Sequence, residues 1–353
     1  MGNIHGCSEI NTSEKLCQKI EILNRTHEFP ATLRETIAGL KDEDPESFLL
    51  IVEEILVDLL YGIGGDGLDC ERDTNREIET AIRFFPHVLC ERYWGTHPPI
   101  YAQLAYSKSV PFIPLLAKLG VELNQFQEEE RGGLFYYRWN VLRSLLNNDS
   151  GAWYDENNER QQLLVDEKYA AAVKSLKEIG IFQRKDISNH DLVWELSTNK
   201  TFPEQRFRCL VDFDPNSFYK NKFPIYRLWL EDNNASVFRI MFELGMLHFP
   251  TQMGFLFHRD YPSHTGNCET PFCRVCQKHG TEKVDKIIRD VLAKHNQHGS
   301  ESNTETINMD EAFLYAATNP SVHLDGVYFL LRRDPDRYCQ AITRRCQCNS
   351  QKI

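Results

Sequence analysis

The sequence predicts an all-α protein, an irregular solenoid of helix-turn-helix repeats that begins with a helical N-terminal cap. Two observations predict this class. Apolar residues recur at helical spacing along much of the chain, and very few segments show the two-residue alternation of a half-buried strand. A proline-to-glycine pattern also recurs in the sequence, which is typical of small units that stack on their neighbours.

The first strong helix is predicted to begin at Asp44-Pro45, because aspartate is a favoured N-cap residue and proline a favoured first helical residue. From Phe48 to Leu60 the apolar residues form one broad stripe, and the glycines between 62 and 67 end the helix. Three acidic residues interrupt this stripe, so it is not a membrane span.

The repeated windows supply the main evidence for a solenoid. They start at Pro99, Pro224, Pro271 and Ala312. Gly120 follows the first window's proline at the same spacing as Gly245 follows the second window's proline. A related pattern of charge, aliphatic, glycine, aliphatic occurs at 118–121, 178–181 and 243–246. We expect proline to start the first helix of a pair, and Gly120, Gly180 and Gly245 to take the left-handed conformation that ends the second.

The window from Thr270 to Gly280 reads T-P-F-x-x-V-C-x-x-x-G and resembles the ankyrin pattern T-P-L-H-x-A followed by a glycine. This resemblance implies pairs of stacked helices. The spacing from proline to terminal glycine is longer than in the ankyrin consensus, and the repeat lengths are irregular. The β-hairpin fingers of standard ankyrin repeats are therefore expected to be missing or rebuilt.

Most of the chain, from about residue 29 to 338, also resembles a set of ankyrin-like repeat proteins of diatoms. The segments that carry this resemblance are 29–32, 34–36, 59–67, 83–86, 206–208, 214–215 and 323–333. The resemblance implies the fold and the repeat class, and it implies no activity.

Charge and cysteine usage bound the functional class. The chain has 51 acidic and 40 basic residues, a formal charge of −11, which argues against a general nucleic-acid binder. Its 11 cysteines are scattered and odd in number, and no apolar signal-peptide core follows the start. We therefore expect reduced thiols and a cytoplasmic or nuclear protein.

Several motifs suggest chemistry but are better explained by structure. Cys268, Cys273, Cys276 and His279 could supply four zinc ligands, yet two of the cysteines fall on repeat positions. The glycines at 62–67 lack the sequence of a phosphate-binding loop. Asp212-x-Asp214 precedes a proline, as Phe85 and Asp334 do, which indicates a recurring junction rather than an ion site. The sequence therefore predicts no metal, no cofactor and no catalytic residue.

Two segments are candidates for binding. The stretch between Met246 and Glu269 is an insertion between repeat windows, and arginine with aromatic residues is typical of interface anchors. The candidate partner-binding residues are Phe249, Phe255, Phe257, Arg259 and Tyr261. The alternative is that these aromatic rings fill the repeat core.

The second segment is the N-terminus. Gly2 would become the first residue on removal of Met1 and is a candidate for myristoylation, with Cys7 as a second acylation site. Two acyl chains would anchor the protein stably to a membrane. The alternative function is therefore an acylated peripheral membrane adaptor, which mass analysis of the N-terminus would distinguish.

The predicted organisation is a loose N-terminal arm over 1–28, an ankyrin-like helical repeat domain over 29–345 and a disordered tail over 346–353. The predicted function is a non-catalytic, monomeric scaffold that binds a protein partner. An enzyme of unknown type is a further alternative, which would require a deep pocket holding convergent titratable side chains.

Overall fold

A computed structural model of the protein describes residues 21, 28–40, 44–62, 67–91, 97–105, 107–136, 140–147, 159–197, 199, 202–218, 235–259, 270–298, 308–333 and 335. These residues form α-helices and short 3-10 helices. The strand-like features among them are single bridge positions, an antiparallel bridge between His258 and Val322 and a bridge position at His97. The all-α class is thus confirmed. None of the described helices is both long and apolar enough to cross a membrane.

The chain divides into two compact units, Met1–Gln183 and Arg184–Ile353. The helices of the first unit are α1 (Ala31–Gly39), α2 (Pro45–Tyr61), α3 (Asn75–Phe84), α4 (Pro99–Ala102), α5 (Ile113–Glu122), α6 (Val141–Asn147) and α7 (Glu159–Glu178). Its 3-10 helices are Pro86–Leu89, Gln103–Ala105, Val110–Phe112 and Glu128–Glu130. Helix α2 packs against α1 and α4, and α5 packs against α3 and α7.

The second unit is also built of helices that pack on their neighbours. They are α8 (Arg184–Asn189), α9 (Leu192–Leu196), α10 (Glu204–Phe213), α11 (Ala235–His248), α12 (Pro271–His279), α13 (Thr281–His298), α14 (Met309–Thr318) and α15 (Leu324–Arg333). Its 3-10 helices are Pro215–Phe218 and Met253–Phe255. Helix α11 packs against α10 and α13, α12 packs against α13, and α14 packs against α15.

Local sequence determines how α2 begins and ends, as predicted. The side chain of Asp44 accepts hydrogen bonds from the backbone N–H groups of Glu46 and Ser47, both at 3.1 Å, and Pro45 occupies the first turn. Gly62 ends the helix in the left-handed conformation, at φ 67°. The apolar stripe is buried at Phe48, Val52, Leu56, Leu59 and Leu60.

A junction of helix and proline occurs in both units. Phe85 follows the end of α3 and Asp214 follows the end of α10, and each of these residues precedes a proline that starts a 3-10 helix. Their conformations are similar, with φ −125° and ψ 69° at Phe85 and φ −136° and ψ 85° at Asp214. Proline disfavours the helical conformation for the residue before it, so both helices must end there. Two of the three predicted junctions are thus present in the structure, and the third, at Asp334, lies outside the described residues.

The predicted register of three glycines is wrong at two of them. Gly180 has φ +77° just beyond α7, as expected, but Gly120 and Gly245 lie inside α5 and α11 and have no positive φ. A glycine is needed at these two positions because another part of the backbone lies very close to each of them. A Cβ on Gly120 would lie 2.8 Å from the Cα of Gly132, and a Cβ on Gly245 would lie 2.9 Å from the Cα of Gly254.

Helices α12 and α13 are separated by a single residue. Thr270 caps α12 by accepting from the backbone N–H of Cys273 at 3.1 Å, and Pro271 is the first helical residue. Gly280 then has φ 83° and ψ 142°, and α13 begins at the next residue. Its positive φ is a conformation that residues with a Cβ rarely adopt.

Candidate functional site

The predicted docking segment connects the helices of the second unit. After α11 the chain turns through the 3-10 helix Met253–Phe255 and reaches Arg259, after which residues 260–269 lie outside the described part of the chain. Met253, Gly254 and Phe255 all have positive φ, at 50°, 57° and 63°. Positive φ is uncommon for residues other than glycine, so the surrounding packing must hold this turn in place.

A matching turn follows α5 in the first unit. Arg131, Gly132 and Gly133 have φ values of 44°, 67° and 94°. In both units the middle glycine of the turn contacts the glycine of the preceding helix. We call residues 131–133 and 253–255 the glycine-contact turns.

The ring of Phe255 belongs to a buried aromatic cluster. Its centroid lies 4.8 Å from that of Phe249 and 4.9 Å from that of His258, and the His258 ring stacks on Tyr315 of α14. Phe218 also contacts Phe255, at 6.4 Å. Only 3% of Phe255 is exposed. Phe255 and His258 together therefore connect the residue that follows α11, the 3-10 helix Pro215–Phe218 and α14.

Phe257 lies in a second cluster. Its ring is 5.1 Å from both Phe272 of α12 and Phe329 of α15, and 2% of the residue is exposed. Gly326 permits this packing, because a Cβ there would come within 2.8 Å of the Cβ of Phe257.

Backbone hydrogen bonds attach the segment on both sides. The N–H of Phe272 donates to the carbonyl of Leu256 at 3.0 Å, and the N–H of His323 donates to the carbonyl of Phe257 at 2.8 Å. Arg259 donates its N–H to Ser321, also at 2.8 Å. The described part of the segment, up to Arg259, therefore packs between helices of the second unit as part of its core.

The expectation that Phe255 and Phe257 face a partner is therefore corrected, because both rings are buried among other aromatic side chains. Phe249 is half-buried and Arg259 is exposed, so binding by these two remains a prediction. Tyr261 lies outside the described residues. The candidate acylation sites Gly2 and Cys7 lie outside them as well.

Burial lowers the pKa of His258 to about 4, so its imidazole is neutral at physiological pH. Its Nε2 lies 3.3 Å from the hydroxyl of Tyr315, which can donate to it. The arrangement is that of a buried neutral ring with a polar partner and not that of a proton-transfer group working near neutral pH.

The other sequence motifs have structural surroundings. Cys273, Cys276 and His279 lie along α12, and burial raises the pKa of the Cys276 thiol to about 11, so it stays protonated. Cys268, the fourth candidate ligand, lies outside the described residues. Among the described residues Cys70, Cys90 and Cys276 are free cysteines.

The two aspartates of the Asp212-x-Asp214 motif have different surroundings. Asp212 is exposed, and its Oδ1 lies 3.1 Å from Nε2 of His248 on α11. Asp214 is 2% exposed and forms the junction before Pro215. These positions agree with the structural interpretation of the motif.

Sequence reasoning missed one group of possible ligands. Glu53, His87 and Glu91 offer ligand atoms that all lie within 4.8 Å of one another. Glu53 is far from the other two in sequence and lies within the predicted apolar stripe, so no local motif marks the group.

Comparison of the chain with models of protein families, with curated proteins and with solved structures finds no match.

Proposed function

We propose that the protein is a non-catalytic scaffold of irregular ankyrin-like helix pairs that binds a protein partner. The observation that carries the proposal is the recurrence of one arrangement in both units. In each, a helix ends before a proline, a 3-10 helix follows, and a later helix places a glycine against a glycine-contact turn. Repetition of one supersecondary unit is characteristic of repeat scaffolds.

The packing of the helices supports this proposal. In the first unit α3 packs on α5 and α5 on α7, and in the second α10 packs on α11 and α11 on α13. Each of these middle helices is covered by its predecessor and its successor, as expected where no pair can bury its apolar face alone. Faces of such stacked helices provide extended surfaces for protein partners.

Ion pairs cross between the same neighbouring helices. Arg83 of α3 contacts Glu122 of α5 at 2.5 Å, and Arg208 of α10 contacts Glu243 of α11 at 3.5 Å. Lys294 of α13 also contacts Glu243 at 3.5 Å. Because these side chains are partly exposed, each pair contributes little stability, and we expect the buried apolar contacts to hold the stack.

Two groups whose pKa values burial shifts strongly, His258 and Cys276, favour the scaffold over the enzyme, whereas the raised pKa of Lys108 comes from its ion pairs with Glu71 and Asp69. His258 and Cys276 are perturbed first of all by burial, and each is held in its neutral form. His258 lies against Phe255 and Tyr315, and Cys276 lies on α12. Strongly perturbed groups of an enzyme would instead converge on a cleft.

The test is purification of the tagged full chain from its native cell, with quantification of co-purifying proteins. Lysine would replace, one at a time, the exposed large apolar residues Leu50, Val121, Leu163, Leu164, Ile179, Leu247, Leu324 and Tyr328. We expect a partner in fixed stoichiometry that is lost from at least one variant whose helical content and melting temperature equal those of the unmodified chain.

Retention of every co-purifying protein by all eight folded variants would argue against a partner surface among these residues. A chain that is isolated alone and turns over a substrate would overturn the scaffold function altogether.

A further inference from the structure

Three side chains able to bind a metal meet on the first unit. Glu53 comes from α2, His87 from the 3-10 helix Pro86–Leu89, and Glu91 from just after that helix. The Nε2 atom of His87 lies 2.5 Å from Oε1 of Glu53, and the ligand atoms of all three residues lie within 4.8 Å of one another.

The backbone that carries the three residues is held in place by groups outside the cluster. The hydroxyl of Tyr61, also on α2, lies 2.7 Å from the carbonyl oxygen of Glu91 and 2.8 Å from that of His97, and it can donate its one proton to either. Val88 and Leu89, which lie between the two candidate ligands of the second segment, are buried. The segment from Pro86 to Glu91 is thus held against α2. The side chains of Glu53 and His87 remain 25% and 50% exposed and can be reached from solvent.

Two other histidines in the described part of the chain pair with a carboxylate. His248 lies 3.1 Å from Asp212, and His323 lies 3.2 Å from Asp325. A surface pair of this kind is common and has little weight alone. Among the described residues, the group at His87 alone brings a second carboxylate within reach of the same point.

The charges of the three groups also favour a cation. Glu53 and Glu91 bring two carboxyl groups within 4.8 Å of each other and of the His87 ring nitrogen, and a divalent cation between them is attracted to both. A divalent ion would neutralise both. An imidazole nitrogen with carboxylate oxygens is a donor set that suits Zn²⁺, and three protein ligands leave a fourth position for water.

We propose that Glu53, His87 and Glu91 form a Zn²⁺ site that links α2 to the segment after Pro86. The ion stabilises the first unit by binding the folded state in preference to the unfolded one. This site is independent of the proposed scaffold function, because it uses no docking surface.

Calorimetric titration of Zn²⁺ into the reduced, metal-free full chain tests the site, with His87→Gln and Glu53→Gln as site variants. His248→Gln is the matched control, since it removes a histidine that also pairs with a carboxylate. Each site variant is expected to bind one fewer equivalent of Zn²⁺, or to bind that equivalent at least about tenfold more weakly, whereas the control matches the unmodified chain. Zn²⁺ should raise the melting temperature of the unmodified chain and the control more than that of the site variants.

Because the chain has 11 cysteines, binding by thiolates must be distinguished. Co²⁺ bound by thiolate gives intense charge-transfer absorption in the near ultraviolet, and Co²⁺ bound by nitrogen and oxygen does not. The equivalent lost from His87→Gln should lack this absorption. The proposal is overturned if the two site variants bind Zn²⁺ as the unmodified chain does, if the unmodified chain binds none, or if the lost equivalent carries the thiolate absorption.

Discussion

Gly245 and Gly254 lie so close together that a Cβ on the first would come within 2.9 Å of both the Cα and the carbonyl oxygen of the second. Backbone atoms cannot move aside as a flexible side chain can. We therefore expect Gly245→Ala to destabilise the second unit by about 1–3 kcal/mol, as overpacking in a dense interior does. A lower urea midpoint with an unchanged slope would show this.

Gly39→Ala is the matched control for that substitution. Gly39 is also helical, but a Cβ there would meet no atom within 4 Å. Alanine is the better helix former, so Gly39→Ala should leave stability unchanged or raise it by up to about 1 kcal/mol. If Gly245→Ala and Gly39→Ala changed the free energy of unfolding equally, the close contact between Gly245 and Gly254 would be contradicted.

Because Phe257 is buried, we expect its ring to stabilise the folded second unit. Phe257→Ala removes the ring from between Phe272 and Phe329 and should cost about 3–5 kcal/mol. Arg259→Ala, two residues further on and exposed, should change stability by less than about 0.5 kcal/mol. Thermal unfolding followed by circular dichroism separates the two, and a stable Phe257→Ala chain would return this ring to the list of docking candidates.

His258 predicts a loss of stability in mild acid. Its pKa is about 4 in the folded protein and 6.5 ordinarily, so the unfolded chain takes up the proton first. The stabilisation is complete above about pH 6.5 and is lost as the pH falls towards 4, by up to about 3 kcal/mol. Between these pH values the melting temperature should fall less steeply for His258→Gln than for the unmodified chain. An equal fall in both proteins would contradict the lowered pKa of His258.

The cap of α12 predicts a difference between two conservative substitutions. Thr270 is 1% exposed, and its hydroxyl accepts from the N–H of Cys273. Thr270→Val preserves the shape of the side chain but leaves that N–H without its acceptor, at a cost of about 1–2 kcal/mol. Thr270→Ser keeps the acceptor and should retain most of the stability. Chemical denaturation of both variants decides whether the hydroxyl matters.

Sequence predicted the features that depend on neighbouring residues. Asp44-Pro45 starts one helix and Pro271 another, as predicted, because a capping oxygen and a proline act within one turn. Gly120 and Gly245 were assigned to the wrong conformation, because the reason for a glycine there is a contact with a turn further along the chain. A pattern of glycines cannot distinguish a positive φ from a close approach.

Contacts between distant parts of the chain also decided the candidate site, and the sequence could not reveal them. Aromatic residues suit both a core and an interface, and only the positions of Phe272, Phe329 and Tyr315 decide that Phe257 and His258 are enclosed. The group at His87 was missed because α2 brings Glu53 to it from a distant part of the chain. Non-local contacts of this kind are set by packing.

Gly280, the single residue between α12 and α13, makes the second unit sensitive to chain length at that point. A residue inserted within the first turn of α13, just after Gly280, would rotate the rest of that helix by about 100° relative to the turn, because an α-helix has 3.6 residues per turn. Val284, Ile287, Ile288, Val291 and Leu292, which are now buried, would then leave their places in the core. Because a connection of one residue leaves little slack to compensate, such an insertion should destabilise this unit more than an insertion in a longer loop does.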